Sequence, residues 1–319
     1  MNGSEMPHGG QRVAIIGAGH VGATAAYALM LRALFREIVL IDSDPALAHA
    51  EATDLSDANA LARPTRIWAG TYADAATAQV AVVTAGAATH GTETRLSVAS
   101  RSAAIVGRCV DALVKAGFAG VIVVAANPVD LMALLALQRS GLPATRVIGT
   151  GTLLDTSRLR QVLARELNVA PGSVDGIVLG EHGDSELVAF SSLRVGGVGM
   201  ETYAAPEEGP SREVIAQTVR DAGYAIIAGK GYTSFGVATA IVRICEAIVR
   251  DERVVLPVST MLSGQFGITD LYLSLPCVLG ASGVQKILSP QLSRDEEAAL
   301  RDSATALRAA FAAIQAEIA

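Results

Sequence analysis

The sequence predicts an α/β protein: a doubly wound parallel sheet followed by a second lobe of mixed α+β character. Two patterns carry that expectation. Through the first half, short β-branched runs alternate with longer Ala/Leu-rich amphipathic stretches, the rhythm of parallel strands joined by crossover helices. After Gly151 the rhythm changes to longer helical patterns broken by shorter strands. At 319 residues the chain can bury a core in each of two lobes. Hydrophobic residues make up 51% and charged residues 18%, so much of the chain is expected to be interior or to face another subunit.

In chain order, the predicted strands are Arg12 to Ile16, Glu37 to Ile41, Thr65 to Ala69, Val80 to Thr84, Val121 to Ala125 and Val147 to Gly149, six members of one sheet. The second lobe opens with a helix over Leu153 to Leu167. Strands follow around Gly176 to Leu179 and Phe190 to Val195, and then helical patterns run from Ser211 to Arg250. From Asp295 to Ile318, Leu300, Ala304, Leu307, Phe311 and Ile314 recur at helical spacing and predict one amphipathic closing helix. The expected organisation is a polar tail over 1–11, a first domain over 12–150 and a second over 151–319.

The bulk properties exclude several classes. A formal charge of -6 opposes a nucleic-acid partner, because basic residues that neutralise phosphate supply most of that affinity. No apolar run reaches the roughly 18 uninterrupted residues of a membrane span, and the opening MNGSEMPHGGQ lacks the basic-then-apolar order of a secretory signal. Cys109, Cys245 and Cys277 are widely separated, which indicates neither a disulfide framework nor a zinc site and fits a reducing cytoplasm.

Directly after the first strand comes Gly17-Ala18-Gly19-His20-Val21-Gly22, opening an Ala-rich helix. In that strand-turn-helix setting the pattern is a dinucleotide-binding, Rossmann fingerprint. Gly17 allows the tight turn, Gly19 lets backbone approach a pyrophosphate, and Gly22 lets helix pack on strand, with the phosphates at the positive helix N-terminus. Asp42 ends the second strand twenty residues past Gly22, where a carboxylate can accept from both ribose hydroxyls and repel a 2′-phosphate. The expected cofactor is therefore NAD rather than NADP, with Asp44 adding negative charge. A plain helix cap is the alternative role for Asp42.

Among five histidines, His182 stands out in the Gly-flanked turn Gly180-Glu181-His182-Gly183-Asp184-Ser185, a setting that presents a side chain. Its near-neutral pKa suits proton transfer, although a lone turn histidine is also often structural. Asp155 and Arg158, three apart on a predicted helix, share one face. They read either as a surface ion pair or as a carboxylate-binding fork aimed at a cleft.

These residues join a longer pattern. From Asn127-Pro128-Val129-Asp130 through GLPATRVIGTGTLLDTSRLR to GEHGDSE, the sequence resembles the L-lactate and malate dehydrogenase family, with the lactate branch nearer. The likeness extends through Thr84-Ala85-Gly86, Glu93-Thr94-Arg95-Leu96 and Lys230-Gly231-Tyr232-Thr233 and covers nearly the whole chain. It implies an NAD-dependent oxidoreductase interconverting an L-2-hydroxy acid and its 2-oxo acid, with L-lactate and pyruvate the leading pair. Residue by residue, it implies His182 as acid/base and Asp155 as its buried partner. Arg158 would hold the substrate carboxylate, and Arg95, on a mobile loop, would polarise the carbonyl. Asn127 would hold the substrate oxygen and the nicotinamide ribose, Thr233 would line the substrate pocket, and Thr150 would lie near the nicotinamide. Val21, Ala85 and Gly86 complete the implied cofactor contacts with Gly17, Gly19, Gly22 and Asp42. Such relatives form homotetramers or homodimers, and one of these is expected here.

The sequence departs from the family at two places. Six residues before Arg95, where lactate enzymes carry Gln and malate enzymes Arg, stands Thr89. Without an arginine to pair a second carboxylate, malate is disfavoured. The shorter side chain leaves room for a larger 2-oxo acid, with neighbouring His90 a further candidate contact. Many bacterial relatives bind a sugar bisphosphate through an Arg and a His. The Arg is present as Arg160, but Asp175 occupies the His position and would repel phosphate, so activation is expected to be absent or weak. Two competing readings are an NAD-dependent glycosidase, which needs a Cys-held metal that the relevant stretch lacks, and a non-catalytic NAD-binding scaffold, which gains nothing from holding His182, Asp155, Arg158 and Arg95 together.

Overall fold

The computed structural model describes residues 12–62, 64–87, 95–203 and 211–318. The polar tail over 1–11 therefore lies outside the described residues. The first half runs β1 (Arg12–Ile16), α1 (His20–Arg32), β2 (Glu37–Ile41), α2 (Pro45–Asn59), β3 (Arg66–Ala69), α3 (Tyr72–Ala75), β4 (Val80–Val83), α4 (Arg95–Lys115), β5 (Val121–Val124), α5 (Val129–Ser140) and β6 (Val147–Gly149). All six strands sit where their β-branched runs predict, within a residue at each end. They pair in parallel in the order 3-2-1-4-5-6, which is the doubly wound arrangement.

Period-two alternation explains why these strands read as unbroken apolar runs. Ala14, Ile16, Val39, Ile41, Ala81 and Val83 face one core with residues of α4 and α5. Their neighbours Val13, Ile15, Ile38, Leu40, Val80 and Val82 face the opposite core with residues of α1 and α2. With helices on both faces, β1 and β2 are buried after their first residues, β4 and β5 are buried throughout, and no polar face remains there. Between β1 and β4 the order reverses, so the chain leaves the carboxyl ends of adjacent strands in opposite directions and opens a crevice there.

The second half contains α6 (Leu153–Glu166), the short strands β7 (Val174–Asp175), β8 (Val178–Leu179), β9 (Leu187–Val188), β10 (Arg194–Val195) and β11 (Val198–Gly199), then α7 (Met200–Tyr203), α8 (Arg212–Lys230) and α9 (Phe235–Val249). The strand expected over Gly176 to Leu179 is the two-residue β8, preceded by β7. The one expected over Phe190 to Val195 is a 3-10 turn, Phe190–Ser192, leading into β10. The helical stretch from Ser211 to Arg250 is two helices, parted at Gly231, whose φ of +87° ends α8.

No strand is predicted from the sequence after α9, yet three follow: β12 (Val254–Ser263), β13 (Thr269–Gly280) and β14 (Gly283–Ile287). They are antiparallel, and β12 meets β6 at Ser259 and Gly149, which extends the sheet to nine strands across residue 150. Both faces of β12 and β13 are buried over most of their length, which erases the alternation that would reveal them. The closing helix α10 (Arg294–Ile318) buries Leu300, Ala304, Leu307 and Ile314 beside α4, with Phe311 partly buried against the same core. Among the described residues no helix is long and apolar enough to cross a membrane.

Candidate active site

The crevice at the carboxyl end of β1 is shaped by absent side chains. Gly17 has φ +104°, and a Cβ there would lie 2.6 Å from the Ala85 amide nitrogen. A Cβ on Gly22 would lie 1.8 Å from the Gly17 carbonyl oxygen, so helix and turn can meet only at glycine. Gly19 differs: nothing lies within 4 Å of its would-be Cβ, and it is the N-cap of α1 without a side chain capping the amides behind it. Those first-turn amides and the helix dipole face open space suited to an anion. Thr84 braces the turn by donating its hydroxyl to the Gly17 carbonyl, 2.8 Å away.

Asp42 is held by the same turn. One carboxylate oxygen accepts from the Ala18 amide at 2.6 Å and the other from the Asp44 amide at 2.9 Å. The helix-capping role falls to Asp44, whose carboxylate accepts from Ala46 and Leu47 at the start of α2. Asp42 thus lines a cavity of about 510 Å³ with Gly17, Ala85 and Gly86. A neighbouring cavity of about 550 Å³ is lined by Gly19, Val21, Gly22, Gly86, Asn127 and Thr233. The two share Gly19, Thr84 and Gly86 and form one groove across the strand ends. A carboxylate at one end, bare helix amides in the middle and an open second chamber fit an extended dinucleotide. Over the groove, His20 stacks on Tyr232 with ring centres 3.9 Å apart, which joins the glycine turn to the segment after α8.

The charged cluster lies where α6 meets the turn after β8. His182 Nδ1 is 2.6 Å from Asp155 Oδ2, and Arg158 donates through Nη1 to Asp155 Oδ1 at 2.9 Å. Asp155 is 1% exposed, whereas the side chains of His182 and Arg158 retain 24% and 17%. The aspartate is therefore sealed while its two cationic partners still reach outward. Burial pulls the imidazolium down, but the charge and hydrogen bond of Asp155, helped by Asp130 and Glu186, push His182 up to about 9. With Nδ1 engaged by Asp155, Nε2 is the nitrogen left to exchange a proton with a ligand.

The turn itself is tied on several sides. Gly180, at φ +86°, exchanges both backbone hydrogen bonds with Ser274 of β13. Thr152 donates to the Val178 carbonyl and the Val178 amide donates to Thr156, which clamps α6 against β8. Asp130, 1% exposed at the start of α5, accepts from the His182 amide at 2.9 Å and from Ser259 at 2.5 Å. Burial raises its carboxyl to about 6, against the pull of those two donors. Asp130 lies three residues after Asn127, so it connects the groove wall to the histidine turn.

The structure thus brings together His182, Asp155 and Arg158 in one cluster, and Gly17, Gly19, Val21, Gly22, Asp42, Ala85, Gly86, Asn127 and Thr233 along one groove. Thr150 is buried beyond β6, its amide donating to the Val124 carbonyl. Thr89 and His90 lie outside the described residues. Arg95 opens α4, but its side chain is likewise outside them. Arg160 donates to the Gly176 carbonyl and lies 3.9 Å from the exposed Asp175 carboxylate. Sequence reasoning missed Asp130 and Glu186. A lone acid inside the apolar run VDLMALLAL was the available signal for Asp130. Asp155, His182 and Glu186 each bring a ligand-capable atom within 4.8 Å of the others, and the cation this cluster already holds is the Arg158 guanidinium.

Residues 11–149 match the lactate/malate dehydrogenase NAD-binding domain, and residues 152–318 match the α/β C-terminal domain of the same enzymes. The chain belongs to the lactate/malate dehydrogenase family. Within that family it is 43% identical over 310 residues to an L-lactate dehydrogenase of Thermus aquaticus, covering 95% of this chain and 99% of that protein. It is 40% identical to an L-lactate dehydrogenase of Priestia megaterium, over 93% and 95% of the two chains. Among solved structures, the ligand-bound minor L-lactate dehydrogenase of Enterococcus mundtii superposes with a TM-score of 0.92 at 38% identity, covering 95% of this chain and 98% of that one. The family's NAD-binding half supplies most of the groove, and its C-terminal half supplies Tyr232 and Thr233 to it and contains His182, Asp155 and Arg158.

Proposed function

We propose that this chain is an NAD-dependent L-2-hydroxyacid dehydrogenase that interconverts L-lactate and pyruvate. The observation that carries the reading is the His182–Asp155–Arg158 cluster: a proton donor and a carboxylate-binding cation, each within hydrogen-bond distance of one buried counter-charge. When bound, the cofactor would supply the hydride chemistry, the oxidised form taking up a hydride and NADH giving one. Asp42 would hold its adenosine ribose, the α1 amides behind Gly19 its pyrophosphate, and Asn127 and Thr150 its nicotinamide half, with Val21, Ala85 and Gly86 as further contacts along the groove.

Arg158 keeps one guanidinium arm on Asp155 and offers the rest of its fork to the substrate carboxylate. His182 Nε2 gives its proton to the ketone oxygen during reduction and takes it back during oxidation. Asp155 stabilises the imidazolium and fixes the ring. Arg95 would steady the developing negative charge on that oxygen, and Thr233 and Thr89 would bound the substrate's side chain. Residues 12–150 form the cofactor domain in this reading, and residues 151–319 the substrate domain. A homodimer or homotetramer fits the exposed Tyr27 and Leu31 on α1 and Phe235, 70% exposed, on the adjacent α9. Three free, buried cysteines fit a cytoplasmic setting.

The test is NADH oxidation across pyruvate, 2-oxobutyrate, 2-oxoisocaproate, phenylpyruvate and oxaloacetate, compared by kcat/KM. A maximum at pyruvate is expected. A maximum at a larger acid would assign the enzyme to a bulkier 2-hydroxy acid through the space that Thr89 leaves, and tight NADH binding without turnover of any would leave only a scaffold.

A further inference from the structure

Glu186 ends the histidine turn just before β9 and plays no part in the steps above. It is 8% exposed, and its Oε1 has no hydrogen-bond partner among the described residues. Buried carboxylates are rarely left so, because an unpartnered oxygen forfeits its hydration without return. The residue nevertheless sits against the charged cluster, within 4.8 Å of ligand-capable atoms of both Asp155 and His182. It also lines a separate cavity of about 400 Å³ that shares no lining residue with the dinucleotide groove. Arg220, from α8, lines that cavity too, and its buried Nε likewise has no partner.

The charges facing Glu186 come from each packed element. Asp155 and Arg158 face it from α6, His182 from its own turn, and Arg220 from α8. Arg212 and Glu213 of α8 stand with Asp295 and Glu296 of α10 at the solvent side of the cavity. Burial pushes the Glu186 carboxyl up to about 8, and the Asp155 charge adds to the rise against the pull of His182, Arg158 and Arg220. At neutral pH it therefore keeps its proton. As it ionises, it adds a second negative charge beside His182 and gives Arg158 a second anion to attract.

We propose, resting on the dehydrogenase reading above, that Glu186 is a positioning residue whose charge state sets how firmly His182 holds its proton and how freely Arg158 can take a substrate carboxylate. It acts through these two side chains, and its cavity gives it a route to solvent independent of the groove. Ionised Glu186 favours the imidazolium, so it prolongs ketone reduction on the alkaline side.

The experiment follows the His182 imidazole by ¹H–¹⁵N NMR from pH 6 to 10 in the full-length protein and in its Glu186→Gln and Glu186→Asp variants. The kcat/KM for pyruvate, the NADH affinity and the melting temperature are measured on the same samples. In Glu186→Gln the His182 midpoint is expected to fall by about half a unit or more, a roughly three-fold loss of proton affinity. The alkaline limb of kcat/KM should move with it, and Glu186→Asp should restore part of both. An unchanged His182 midpoint in a Glu186→Gln protein that melts and binds NADH normally would overturn the proposal, as would a loss of kcat/KM equal at every pH. The titration needs no turnover, so a shifted midpoint in a protein inactive on every 2-oxo acid would uphold the coupling while overturning the activity.

Discussion

In the groove, Gly17, Gly19 and Gly22 work by what they lack, whereas in the His182 cluster Asp155, Asp130 and Arg158 work by charges they keep largely out of water. The groove is backbone left bare for close approach, and an added methyl group at Gly17 or Gly22 meets other backbone. The cluster is a set of mutually neutralising ions, and a removed charge disturbs it, because the partner left behind is buried and unpaired. One region is therefore sensitive to atoms and the other to electrons.

That contrast is sharpest at His182. His182→Asn leaves the groove intact, so NADH should bind nearly as before while kcat falls about 10²- to 10⁴-fold; near-normal turnover would remove His182 from the chemistry. Next in size is Asp155→Asn, which keeps the shape and deletes the charge. In the proposed mechanism reduction uses the protonated ring, present below the folded pKa and lost as pH rises through about 9. Oxidation uses the neutral ring and shows the opposite limb. Without the Asp155 charge and hydrogen bond, only Asp130 and Glu186 oppose burial and the midpoint should fall to about 6.5 or lower, cutting pyruvate reduction at pH 8 by about 30-fold or more, since each unit above the midpoint is tenfold in the protonated fraction. An unmoved pH profile in the variant would show that Asp155 is not what charges the ring.

The groove is tested by a pair of methyl groups. Gly19→Ala places its Cβ in open space, so melting should not change, but the NADH dissociation constant should rise by about ten-fold as the methyl meets the pyrophosphate. Gly22→Ala, 1.8 Å from a carbonyl oxygen, should lower the melting temperature as well. Equal NADH affinity in Gly19→Ala and the parent would put the pyrophosphate elsewhere. The smallest effect concerns Arg160, which already faces Asp175. Added fructose bisphosphate should change the KM for pyruvate by less than about two-fold, as suits an anion meeting a partly satisfied cation; strong activation would show that Asp175 does not block phosphate.

The parallel half of the fold was legible because local chemistry and tertiary role agree there: β-branched runs, a glycine turn and amphipathic crossovers each point to one answer. The strands β12 to β14 were not, because burial on both faces removes alternation, and Pro257 opposite Pro276 adds residues that read as breakers. In the site, His182, Asp155 and Arg158 were readable from their motif context. Asp130 and Glu186 were not, since their importance comes from what lies across the fold: Ser259 of β12 for one, Arg220 of α8 for the other. Distance along the chain hides both.

The meeting of β12 with β6 has a bearing on how such a protein can be recombined. Although the two family matches meet near residue 150, Ser259 beside Gly149 and Ser274 beside Thr152 stitch the last third of the polypeptide back onto the seam. A chimera that exchanged everything beyond 150 would replace not a detachable module but one edge of a shared beam. Its success would depend on whether the incoming β12 and β13 carry small hydroxyl residues at these two contacts, where Gly149 and Gly151 leave no room for more.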